Sequence, residues 1–162
     1  MSAAAAAHPL PDIAQVKDLL GMLFDALSVK LGPKLDVSPK ASCYFGVYVS
    51  DDGTPVALCG CDIAFAANSG AALSMLPPNA AKEAAKDKEL TPVMLANLHE
   101  VMNICTRLML RDDSPHLKLR ELCALNALPP PAAAIIAAPR GRIDFEIGLG
   151  KYGSGVLSVM CL

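Results

Sequence analysis

Residues 91–111 read TPVMLANLHEVMNICTRLMLR. Thr91 is a good helix N-cap, and Pro92 suits the first helical position, where a missing N–H costs nothing. Val93, Met94, Leu98, Val101, Met102, Cys105, Leu108 and Met109 recur at helical spacing and form a wide apolar side. The pattern predicts a helix to about Arg111, stopped by Asp112-Asp113-Ser114-Pro115. At about 100° per residue, Glu100, Asn103 and Arg107 gather opposite the apolar side with Ala96. Asn97 and His99 flank them. A carboxylate and a carboxamide thus project together from one capped, rigid surface. Any surface helix carries polar residues, however, and E-x-x-N is short.

Moving toward the N-terminus, Asn79–Leu90 alternates Lys with Glu and Asp, which predicts a solvated helical turn or loop. Cys43–Val49 and Val56–Phe65 read as two strands, and the Asp52-Gly53 pair between them signals a hairpin. Asn68-Ser69-Gly70 follows, then a short helix at Ala71–Leu76 closed by Pro77-Pro78. Asp12–Leu31 reads as a first helix, capped by Asp12 and stopped by Gly32-Pro33. Residues 1–11, with Ala3–Ala7, read as a disordered tail.

Toward the C-terminus, Leu117–Leu125 reads as a strand, and Pro129-Pro130-Pro131 as a loop or edge. Ile143–Leu149 and Gly155–Cys161 read as a terminal hairpin. Its turn, Gly148–Gly153, matches G-x-G-x-x-G literally. A strand follows it instead of the helix that a dinucleotide site requires, so the glycines are assigned to a turn. Helices and strands do not alternate regularly. The expectation is one α+β domain over residues 12–162, an antiparallel or mixed sheet packed with long helices.

Composition removes several function classes. A formal net charge of -2, with no basic stripe and no Trp, argues against nucleic-acid binding. No apolar run approaches the roughly 20 residues of a membrane span, so membrane insertion is not expected. The N-terminus lacks a basic, leucine-rich leader, which points to the cytoplasm. Cys43, Cys59, Cys61, Cys105, Cys123 and Cys161 include no C-x-x-C pair, and His8, His99 and His116 are scattered. Buried, reduced thiols are expected, and no metal site.

The order of elements, with Leu95-Ala96-Asn97-Leu98-His99-Glu100-Val101-Met102-Asn103-Ile104 on a helix after a charged linker, resembles the CheX/CheC/FliY group of chemotaxis phosphatases. That group carries E-x-x-N-I at this place. The resemblance spans residues 12–162 and implies a CheC-like fold. It also implies hydrolysis of the phospho-aspartate of a CheY-like response regulator. Asn103 would orient the attacking water, and Glu100 would pair with a regulator lysine. This chain would need no cofactor of its own, since Mg²⁺ sits on the partner. A homodimer is also implied.

Three positions depart from the group. Ala96 stands where Asp or Ser is frequent. Arg107 stands where Gly is common, and would either clamp a phosphoryl oxygen or crowd Glu100. Asp25-Ala26-Leu27-Ser28 lacks the second E-x-x-N of CheC-type members, which fits a single, CheX-like site. A non-catalytic signalling module and a flagellar-switch-type adaptor remain as alternatives.

Overall fold

The computed structural model describes residues 8–162. Residues 1–7 of the expected tail lie outside the described residues. The chain runs α1 (Ile13–Leu20), β1 (Leu27–Leu31), β2 (Cys43–Val49), β3 (Pro55–Asp62), α2 (Ile63–Leu73), α3 (Pro78–Asp87), α4 (Pro92–Ile104), β4 (Lys118–Ala124), α5 (Pro130–Ala137), β5 (Gly141–Leu149) and β6 (Ser154–Cys161). The strands form one antiparallel sheet in the order β1-β5-β6-β3-β2-β4. The α+β class expected from sequence is therefore correct.

Alternation along the strands gives the sheet two apolar faces. Ala57, Cys59, Cys61, Phe145, Ile147, Leu157 and Val159 face a core shared with α1, α2 and α4. Phe45, Val47, Leu58 and Met160 face the other way, against Leu35 and the Ala132 and Ile135 side chains of α5. Arg142 and Asp144 of β5 pair at 3.0 Å in a largely buried position, with side chains 13% and 12% exposed. Asp144 also accepts from the Leu35 N–H, and Arg142 donates to the Leu35 carbonyl. The segment before β2 is thereby tied to the second face. Five of the six cysteines are buried, as expected, and Cys123 is half-buried; none is bridged to another.

Several elements differ from the expectation, each for a local reason. The first helix ends at Leu20, because Gly21 caps it and Ala26 takes a left-handed backbone (φ 52°). Leu27, Val29 and Leu31 satisfy a period of two as well as helical spacing, and they pair with β5 as an edge strand. The strand expected to reach Phe65 stops at Asp62. Its carboxylate accepts from the Phe65 N–H at 2.8 Å, starting α2, and from the Val156 N–H of β6 at 3.1 Å. Asn68, Ser69 and Gly70 therefore lie buried inside α2, which ends at Leu73 rather than Leu76.

The charged stretch is a full helix, α3, with Ala81 and Ala84 buried. The proline cluster opens α5, since Pro is tolerated in a helix's first turn. The expected tail is docked from His8 onward: His8 and Pro11 are buried, and the His8 ring is 3.1 Å from the Met109 carbonyl. No described helix is long and apolar enough to cross a membrane.

Candidate functional site

Helix α4 begins as its sequence dictates. The Thr91 hydroxyl accepts from the Met94 N–H at 3.2 Å, and Pro92 occupies the first position. Met94, Leu98, Val101 and Met102 are fully buried. Burial of this kind contributes about 1.5–3 kcal/mol per side chain. Val93, expected on the apolar side, is instead 51% exposed, and Leu95 is 42% exposed.

Three further contacts fix the helix. Gly70 of α2 allows close approach, because a Cβ there would lie 2.8 Å from the Met94 carbonyl. The Asn97 amide donates to the Gly70 carbonyl at 2.8 Å and to the Ser74 hydroxyl at 2.7 Å. Asn97, expected as a flank of the binding face, is thus committed to holding α4 on α2. From the sheet side, the buried Tyr48 hydroxyl donates to the Met102 carbonyl at 2.5 Å. Burial pushes the Tyr48 phenol well above its ordinary pKa, so it remains a neutral donor.

The helix then tightens. Cys105–Met109 is a 3-10 turn, and the Thr106 hydroxyl donates to the Asn103 carbonyl at 2.7 Å. The expected helix to Arg111 is therefore α-helical only to Ile104. A 3-10 turn advances about 120° per residue instead of about 100°, so three residues carry Arg107 about 60° further round than a continued α-helix would, to about 100° from the Asn103 line. Arg107 is exposed and makes no ion pair with Glu100. It lines a cleft against α1 together with Asp18, Leu19 and Met22.

On the outer side of α4, Ala96, His99, Glu100 and Asn103 are all exposed. Residues three apart on a helix have Cβ atoms about 5–6 Å apart, so Glu100 and Asn103 present a carboxylate beside a carboxamide. Among the described residues, neither side chain makes a hydrogen bond or ion pair. The sequence placed Glu100, Asn103 and His99 on this side correctly. It gave no hint of Tyr48, whose partner lies 54 residues away.

Such a surface offers an anion, a neutral hydrogen-bonding amide and no enclosed cavity.

No family model matches the chain, and no curated protein matches it. Solved structures do. The FliM chain of the FliM–SpeE complex from H. pylori superposes with a TM-score of 0.57 at 12% identity, over 92% of this chain and 78% of that one. CheX in the CheX–CheY–BeF3–Mg complex from Borrelia burgdorferi superposes with a TM-score of 0.52 at 14% identity, over 90% of each chain. This is the fold of CheX and of the FliM middle domain. The FliM middle domain solved alone, also from H. pylori, gives a TM-score of 0.51 at 11% identity, over 92% of this chain and 82% of that one. At such identities what is shared is the CheX-type fold, which hosts both a CheY-bound protein and a FliM domain.

Proposed function

We propose that this protein docks on a CheY-like response regulator through the outer side of α4 and hydrolyses the regulator's aspartyl phosphate. The observation that carries the reading is the pair Glu100 and Asn103, exposed and without side-chain partners among the described residues, on a helix anchored by Thr91, Asn97 and the Tyr48–Met102 contact.

Hydrolysis of an acyl phosphate needs a water in line with phosphorus, and charge stabilisation on the equatorial oxygens. The regulator's own Mg²⁺ supplies the second. Asn103 supplies the first: a carboxamide accepts from and donates to water without adding negative charge beside the phosphoryl group. Water attacks phosphorus, the aspartate leaves as a carboxylate, and inorganic phosphate departs. Glu100 pairs with a regulator lysine and sets the register of docking.

A second reading, docking without hydrolysis, draws on Ala96 and Arg107, which replace the Asp or Ser and the Gly of the resemblance. Phosphate release from an acyl-phosphate-charged regulator separates the two. The proposal expects sub-stoichiometric protein to accelerate release. Glu100→Ala should weaken regulator binding, by about 2–5 kcal/mol if the pair is desolvated. Binding without acceleration assigns the protein to the second reading.

A further inference from the structure

A docked receiver domain must cover far more than Glu100 and Asn103. Standard protein interfaces bury about 800 Å² on each partner, some 20–30 residues. The surface has to continue somewhere, and the α1 side of the 3-10 turn is where it offers recognition chemistry. There α1 and the turn leave an open cleft of about 630 Å³.

The floor of the cleft is apolar, from Leu19 and Leu108. Met22 stands at its edge, 64% exposed, an adaptable side chain with no cover of its own. Arg107 and Arg111 line it with Asp18, and none of the three makes an ion pair among the described residues. Arg111 is nevertheless held in place, donating to the Gln15 side chain at 2.9 Å and to the Leu110 carbonyl at 3.0 Å. Asp112 and Asp113 complete the acidic side. The cleft thus has charges of both signs around an apolar floor, with Arg111 held in place. Such an arrangement discriminates by register more than by net charge.

We infer that the cleft between α1 and the 3-10 turn is the second half of the receiver-docking surface. It takes an apolar side chain of the receiver, flanked by a carboxylate that meets Arg107 and a basic group that meets Asp18. The inference rests on the receiver-docking reading above and extends it. The tightening of the helix at Cys105 turns Arg107 off the Asn103 line and into the cleft. Arg107 therefore selects the partner and leaves the phosphoryl group to Asn103.

The test is hydrogen exchange of the full chain, with and without CheY-type receivers of its own genome loaded with BeF3 and Mg²⁺. Protection is expected in peptides covering 15–22 and 105–113 as well as in α4. In parallel, Arg107→Glu and Met22→Asp should each weaken receiver affinity at least tenfold, with the rate at saturating receiver within about twofold. Protection confined to α4, or native affinity in both variants, overturns the inference and leaves the proposed function standing. A loss of saturated rate at unchanged affinity also overturns it, since Arg107 would then contact the phosphoryl group. Absence of protection with every receiver removes the receiver-docking reading itself.

Discussion

The two sides of α4 share thirteen residues and one set of backbone bonds, yet their side chains are treated oppositely. On the inner side Met94, Leu98, Val101 and Met102 are fully buried, and Tyr48 reaches across from β2 to the Met102 carbonyl. On the outer side Glu100 and Asn103 are exposed and make no side-chain contact through hydrogen bonds or ion pairs among the described residues. Folding explains every inner residue and neither of these two. A helix held this firmly fixes the directions in which its outer side chains leave the backbone, which the proposed docking and water positioning require.

The comparison breaks most visibly from the inside. Met102→Ala removes a fully buried side chain and should cost about 2–5 kcal/mol, read as a fall in the urea midpoint. Tyr48→Phe leaves the volume nearly unchanged but deprives the Met102 carbonyl of its sheet-side donor. It should cost about 1–3 kcal/mol in the same assay.

A contrast remote from α4 sharpens the point. Burial raises the Asp144 pKa, but Arg142 and the Leu35 N–H lower it more, and the carboxyl ends below its ordinary 3.8. A depressed pKa contributes stability that is present above the unfolded value and lost as pH falls through the folded one. Asp144→Asn should therefore be less stable than the native chain at pH 7, and the gap should close on acidification below about pH 4. Phosphate release at neutral pH should stay unchanged wherever the variant is folded.

Much of this was legible in the sequence where one signal was unopposed. Thr91-Pro92 and the apolar repeat fixed α4, and Asp52-Gly53 fixed the β2–β3 hairpin. The reading failed where two periods coincide, as at Leu27–Leu31. It failed too where one residue serves two elements, as when Asp62 ends β3 and caps α2. At the candidate site, the exposure of Glu100 and Asn103 was legible because it follows from position on a single helix. Asn97 and Arg107 were not. The fate of Asn97 depends on α2 lying against it, and that of Arg107 on a change from α to 3-10 geometry.

The smallest expected effect on stability carries the largest on function. Asn103 is exposed, and its side chain has no partner among the described residues, so Asn103→Ala should shift unfolding free energy by no more than about 0.5 kcal/mol. The most direct measurement follows phosphate loss from one acyl-phosphate-charged receiver with native protein and with Asn103→Ala, alongside the melting temperature of both. The account predicts acceleration by the native chain, a fall to the receiver's own rate in the variant, unchanged receiver binding and unchanged melting. An Asn103→Ala variant that melts normally, binds the receiver and still accelerates phosphate loss as the native chain does would contradict it.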